Sequence, residues 1–206
     1  MFATYNSLAA ELDSVGYLMR VDNLKNMSLC RASLINKEFI ITNSHCAKTN
    51  SNLFVFIPGN ASGFTSSVIA KKAFKETSIP LNLAQINADV TILQLQKPIN
   101  NITPLEVDFS ERDNKEAILY SLAPGFKSQK NICKINLGEN NLLKSKNCIL
   151  PRGNSGSPFL TNEKNPKLVG LYSGWVEAGE QKMGIGSQVR FWPKVILDKI
   201  IRLRNN

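Results

Sequence analysis

Short apolar runs, separated by Asn, Gly, Pro and Ser, recur along the whole chain. In the first half they are VGYLMRV (15–21), RASLI (31–35), EFIIT (38–42), NLFVFI (52–57) and SSVIAKKAF (66–74). In the second half they are DVTILQL (89–95), EAILYSL (116–122), KINLG (134–138), KLVGLYSGWV (167–176) and KMGIGSQVRF (182–191). Their Val, Ile, Phe, Leu and Tyr content and their turn-forming flanks predict β-strands. Many short strands at near-regular spacing predict a sandwich or barrel. A firm helical period occurs only at the C-terminus. There Pro193 suits a first turn, and Val195, Ile196, Ile200 and Leu203 recur at steps of three and four, which predicts a helix over 193–204. TYNSLAAELDS (4–14) is expected to form a short N-terminal helix. The stretch KPINNITPLEVDFSERDNKEA (97–117) is polar, holds two prolines and has little periodicity. It reads as a connector between two β units, so the expected class is all-β and two-lobed.

Composition changes this picture little. No apolar run approaches the roughly 20 residues needed to cross a bilayer. The start MFATYNSLAAELDS lacks a basic segment followed by an apolar one, so no signal peptide is legible. The chain is then either cytosolic or a mature form carrying an initiator methionine. Lys and Arg outnumber Asp and Glu by 25 to 16, a net charge of +9. Such an excess attracts nucleic acid, anionic surfaces or acidic substrates. The cations are scattered, however, with mild clusters at AKKAFK (70–75), LLKSK (142–146) and IIRLRNN (200–206) and no nucleic-acid motif. They read as a solvated surface, with no nucleic-acid partner expected. The sequons NMS (26–28), NAS (60–62) and NIT (101–103) are expected by chance in a chain this rich in Asn and Ser.

The four cysteines narrow the compartment. Cys30 and Cys46 lie sixteen apart and Cys133 and Cys148 fifteen apart, with no C-x-x-C pair. A zinc site would need all four, or three with the single histidine, at unusual spacings. Four buried thiols and three disulfide pairings remain open; the sequential pairing, Cys30–Cys46 and Cys133–Cys148, is adopted. Each loop would then be closed with a gain of roughly 3 kcal/mol in the chain-entropy model. Disulfides imply an oxidising compartment, so the expected location is secreted or periplasmic. No cofactor or metal is expected, nor a membrane span, and the expected oligomeric state is a monomer.

The chemistry concentrates in three places. PRGNSGSP (151–158) sets Ser155 in a tight polar turn between Gly153 and Gly156. A serine nucleophile needs a base, and the chain has one histidine, His45, in FIITNSHCAK, where an apolar strand runs out. A bridge at Cys46 would mount the ring rigidly. The imidazole needs a group to hold its tautomer. Of six aspartates, Asp13, Asp22, Asp108 and Asp113 lie in polar stretches and Asp198 on the C-terminal helix. Asp89 alone opens an apolar run, where a buried carboxylate needs hydrogen-bond donors. Capping of a strand or turn is the other reading of Asp89.

These residues, in this order, resemble the chymotrypsin/trypsin-like serine endopeptidases, and in particular their compact bacterial, glutamyl-endopeptidase-like branch. CRASLINKEFIITNSHC (30–46) is similar to the family's cysteine–strand–hairpin–strand segment ending in Thr-x-x-His-Cys. ADVTILQL (88–95) resembles its aspartate-led strand, GNSGSP (153–158) its nucleophile loop, and LVGLYSGW (168–175) the strand beside the substrate. The resemblance covers residues 15–206. It implies two packed six-stranded antiparallel Greek-key barrels with a C-terminal helix. The first barrel, 1–104, would carry His45 and Asp89; the second, 105–206, would carry Ser155 and the helix over 193–204. It further implies catalytic roles for His45, Asp89 and Ser155, and an oxyanion hole from the backbone N–H groups of Gly153 and Ser155. Ser173 would bond near Asp89, and Ile149, Tyr172, Ser173, Gly174 and Trp175 would contact an extended peptide substrate.

Four departures from the family pattern stand out. Asn154 replaces the aspartate that pairs with a freshly cleaved N-terminus in zymogen-activated members. Ile149 to Arg152, at the base and wall of the primary pocket, carry no carboxylate to select Lys or Arg. Glutamyl specialists read glutamate with a histidine where Tyr172 stands; Arg152 and Arg190 are the cations left to substitute, and an apolar or small residue is preferred instead. Asn43 and Ser44 replace the small residues usual before the histidine, which alters the packing behind it. The leading expectation is a serine endopeptidase acting on proteins or peptides. The rivals are a pseudoprotease that binds an anionic partner through its basic surface, and a protease that cuts only its own precursor.

Overall fold

Alternation with period two decides which way each side chain points. The computed structural model describes residues 13–23, 26–47, 53–59, 68–72, 82–110, 113, 115–123 and 127–205. The first six strands are β1 (Val15–Asn23), β2 (Asn26–Asn36), β3 (Phe39–Thr42), β4 (Leu53–Ile57), β5 (Val68–Lys72) and β6 (Thr91–Leu95). They close into an antiparallel barrel in the order β1-β2-β3-β6-β5-β4. The next six are β7 (Lys115–Ala123), β8 (Lys127–Leu137), β9 (Leu143–Ser145), β10 (Pro158–Thr161), β11 (Leu168–Ala178) and β12 (Gln181–Gln188). They close a second barrel in the order β10-β11-β12-β9-β8-β7. Helix α1 (Lys194–Asn205) ends the chain. No helix among the described residues is long and apolar enough to cross a membrane.

Each barrel has its own interior, and a third core joins them. Cys30, Ala32 and Leu34 of β2 point into the first barrel with Leu18, Ile40, Phe54, Phe56 and Leu93. Ala117 and Leu119 of β7 point into the second with Cys133, Ile135, Phe159, Val169 and Tyr172. The intervening residues face the seam. Val15, Ile41, Val90 and Ile92 from one side meet Ile118, Tyr120, Leu160 and Leu171 from the other, and Trp192, Ile196 and Ile200 cover the same cluster. The connector is stitched into this seam. Leu105 N–H donates to Leu34 O in the first barrel, and Leu168 N–H of the second donates to Glu106 O. Leu105 and Val107 are therefore core residues in a segment that reads as polar.

The strand pattern departs from the sequence expectation where burial is one-sided or a strand is short. β8 begins seven residues before KINLG; its first half, KSQKNIC, keeps Gln129, Lys130 and Ile132 exposed and so shows no apolar run. β9 and β10, of three and four residues, lie outside the ten apolar runs and complete the second of the two six-stranded barrels. β6 starts at Thr91, and Asp89 instead ends a 3-10 turn, Leu83–Ala88. After β12 the chain turns through Val189–Phe191 rather than continuing as strand. The helix expected over 193–204 is present. The N-terminal helix expected at 4–14 falls almost wholly outside the described residues, as do the ends of the run 66–74.

Candidate active site

The first barrel supplies a histidine and an aspartate on two adjoining loops. β3 and β6 pair at Thr42 and Thr91, which brings the residues just beyond these two positions side by side. Ser44–Cys46 form a single 3-10 turn, tied by the Cys30–Cys46 disulfide (Cα–Cα 6.1 Å) to β2. Asp89 is fully buried. Its Oδ2 lies 2.7 Å from His45 Nδ1, and its Oδ1 accepts the His45 backbone N–H at 3.1 Å. Both carboxylate oxygens thus have a donor, which offsets the desolvation that makes a buried charge costly. A carboxylate only accepts, so Nδ1 carries the proton that faces it, and in the neutral ring Nε2 is then the nitrogen with the lone pair. Ser44 Oγ donates to Val90 O at 2.9 Å and Asn43 Nδ2 to Asp89 O at 2.7 Å, lacing the two loops together. All four cysteines are disulfide-bonded, so the grouping of Cys30, His45 and Cys46 offers no thiolate to a metal. Replacing Cys30 and Cys46 together by alanine is expected to cost about 3 kcal/mol, the chain-entropy value for a loop of this length. Thermal melting should show this as a fall of about 6–12 °C in Tm; an unchanged Tm would assign the bridge no stabilising role.

The second barrel presents Ser155 on the loop between β9 and β10. The Cys133–Cys148 disulfide (Cα–Cα 5.6 Å) pins the start of this loop to β8. Gly153 and Gly156 have φ of +92° and +85°, values at which a side chain is strained. Asn154, fully buried, donates from Nδ2 to Pro151 O at 2.9 Å, and Ser157 N–H donates to Asn154 O at 3.0 Å. The asparagine therefore holds its own turn. The loop is also docked across the seam: Arg31 N–H of β2 donates to Ser155 O at 2.7 Å. Arg31 is itself fully buried, with its guanidinium 4.4 Å from the centre of the Tyr17 ring. Burial lowers its pKa from the ordinary arginine value, and Tyr17 acts in the opposite direction.

This docking sets the main chain of the Ser155 loop beside the turn that carries His45. Cys46 Sγ, one residue from His45, is 3.8 Å from Ser155 O. Ser155 Oγ donates to Ser173 O at 3.1 Å and is not hydrogen-bonded to His45. The N–H groups of Gly153 and Ser155 have no hydrogen-bond partner among the described residues. Ser173, expected to bond near Asp89, does so through a relay: its Oγ accepts from Asn43 Nδ2 at 3.2 Å, and the same amide donates to the Asp89 carbonyl. Asn43 is the residue that sequence reasoning undervalued. Its signal was a polar side chain where small ones are usual. Ile149 and Trp175 are exposed, the latter with Lys182 Nζ 4.5 Å from its ring centre. Arg152 is exposed, and Arg190 packs over Phe191 beyond β12.

Comparison with known proteins agrees with this geometry. A family model described as Trypsin matches residues 9–195. No curated protein matches the chain. Among solved structures, the chain is similar to the thermostable serine protease AL20 from an extremophilic microorganism, with TM-score 0.72 and 14% identity, covering 96% of this chain and 100% of that one. It is similar to the protease Anisep from Arthrobacter nicotinovorans, with TM-score 0.72 and 14% identity over 95% and 97% of the two chains. HL collagenase gives TM-score 0.74 and 16% identity over 96% of each chain. Likeness at such low identity speaks for the fold, and the match to the family model speaks for the lineage: the chain belongs to the trypsin family of serine endopeptidases.

Proposed function

We propose that this chain hydrolyses peptide bonds through a Ser155–His45–Asp89 triad and an acyl-enzyme intermediate. The observation that carries the reading is the buried Asp89 carboxylate 2.7 Å from His45 Nδ1, which leaves Nε2 free to act as a base. Rotation about the Cα–Cβ bond of Ser155 moves its hydroxyl from Ser173 O towards Nε2; catalytic hydrogen bonds are often unmade before substrate arrives. As Oγ bonds to the substrate carbonyl carbon, its proton passes to Nε2 and the carbonyl π electrons move onto oxygen. That oxyanion is received by the unpartnered N–H groups of Gly153 and Ser155, each donor worth roughly 3 kcal/mol of barrier. Collapse expels the amine, which takes the proton from Nε2–H, and leaves the acyl group on Oγ. Water then attacks the ester with the same base, releasing the acid and restoring Ser155.

The substrate strand pairs with Ser173–Trp175 as an added β-strand. His45 and Asp89 come from the lobe 1–104 and Ser155 from the lobe 105–206, so substrate lies across the seam. The disulfides favour a secreted or periplasmic location. A diphenyl phosphonate should add covalently to Ser155, with no adduct in Ser155→Ala and strongly slowed labelling in His45→Ala. A folded wild-type protein that resists every phosphonate would remove the reading. The one observation favouring a binding module is the Ser155 hydroxyl bonded to Ser173 O instead of His45. A Ser155→Ala variant that keeps the full biological activity would decide for that alternative.

A further inference from the structure

We propose that the Tyr172 side chain fills the space beside Ser155 into which the residue preceding the cleaved bond would otherwise reach, so that this chain cuts after glycine, alanine or serine. The inference rests on the serine endopeptidase reading. A carbonyl carbon placed at Ser155 Oγ, with its oxygen on the Gly153 and Ser155 amides, fixes where its own side chain goes. With the preceding chain extended along Ser173–Trp175, that side chain points between two walls, the segment 149–153 and the strand 172–175. Tyr172 spans the gap between those walls. Its hydroxyl accepts Leu150 N–H at 3.0 Å and faces Leu150 O at 3.4 Å, so the phenol is tied to the opposite wall by the main chain. The third side is β12, where a Cβ built on Gly184 would meet the Cys148 carbonyl and lie 3.1 Å from Tyr172 Cε2.

The ring is therefore hemmed in. It is 1% exposed, tilted 59° against Phe159 at 6.2 Å between centroids, and part of the second barrel's interior. Its main chain is held as firmly: Gly156 N–H donates to Tyr172 O and Tyr172 N–H to Ser157 O, both at 2.8 Å. Swinging the ring aside for a bulky substrate side chain would break its hydrogen bond to the Leu150 N–H, in the stretch that leads into Ser155, while the main-chain bonds keep the strand itself from moving with it. Burial pushes the Tyr172 hydroxyl pKa up, against the opposite effect of its Leu150 bond. The phenol thus stays protonated and neutral, with no charge to offer an acidic or basic side chain.

Cleavage-site profiling on a proteome-derived peptide library tests this, with kcat/KM measured for peptides that differ only in Ala or Phe before the cleaved bond. Wild type should favour Ala by at least about 100-fold, the scale of exclusion from a filled apolar site. Tyr172→Phe, which keeps the ring, should retain the preference. Tyr172→Val should narrow it below about tenfold by admitting Phe; if that variant melts as unfolded, Tyr172→Leu carries the same comparison. Fastest wild-type cleavage after Phe, Leu, Lys, Arg or Glu would overturn the proposal, as would an Ala preference that survives in the opened variant. Paired phosphonates with alanine-like and phenylalanine-like side chains separate the two levels of failure. No labelling by either sinks the enzyme reading, whereas faster labelling by the phenylalanine-like probe sinks only the role of Tyr172.

Discussion

Asp89→Asn should lower kcat by about ten-thousand-fold while leaving the melting temperature almost unchanged. The substitution is nearly isosteric, and an asparagine Oδ1 can still accept the His45 backbone N–H that Asp89 accepts at 3.1 Å. Its amide group then faces His45 Nδ1, where the wild-type oxygen stands at 2.7 Å. An amide donates where a carboxylate accepts, so Nδ1 becomes the acceptor and the proton moves to Nε2. The imidazole then has no lone pair for the Ser155 proton, and the imidazolium that forms during attack loses its counter-charge. A ten-thousand-fold loss corresponds to about 5.5 kcal/mol of barrier. Steady-state kinetics on a peptide ester, with circular dichroism on the same sample, checks it. A loss below about tenfold would mean that Asp89 is only a turn residue, the other reading of its place in the sequence.

The three polar residues were legible one by one, yet the docking of the Ser155 loop against the first barrel was not. His45 announces itself by being the single histidine at the end of an apolar strand, and Ser155 by its glycine flanks. Asp89 is legible because a carboxylate that leads an apolar run demands a partner. What docks the Ser155 loop on the first barrel is long-range, and no local pattern encodes it. Arg31 N–H to Ser155 O joins residues more than a hundred apart, and it depends on β2 having one edge free to face the second barrel. The same holds for the fold. β7 and β11 read clearly because their alternating faces are both buried, one inside the barrel and one in the seam. β9 is too short to show a period, and β10 opens at Pro158, which reads as a breaker. Leu105 and Val107 read as connector because their neighbours are polar, and only the seam between barrels makes them core. Asn43 was visible as an oddity, but its relay from Asp89 to Ser173 required Ser173 to arrive from 130 residues away.

Gly156→Ala should nearly abolish activity and also destabilise the protein. A Cβ at this position would collide with the Arg31 carbonyl oxygen and stand 2.5 Å from Thr42 Oγ1, which itself donates to that carbonyl at 2.6 Å. None of these atoms can yield: one is main chain, and the other is fully buried and held by its hydrogen bond. The loop must instead retreat from β2, giving up the Arg31 N–H to Ser155 O bond at 2.7 Å. A side chain at φ +85° adds about 1–2 kcal/mol, and the lost hydrogen bond about 1 kcal/mol more. The sum of about 2–3 kcal/mol lowers Tm by about 4–12 °C in a chain of this size. Function suffers more than stability, because a shift of about 1 Å in Ser155 relative to His45 costs on the order of 100-fold in kcat. Gly179 supplies the control. It too has positive φ, at +64°, but nothing lies within 4 Å of the Cβ it would gain. Gly179→Ala should therefore show the backbone strain without the collision, with a small drop in Tm and full turnover. If both alanine variants lose activity alike, close docking of the Ser155 loop against the first barrel is not what sets the nucleophile in place.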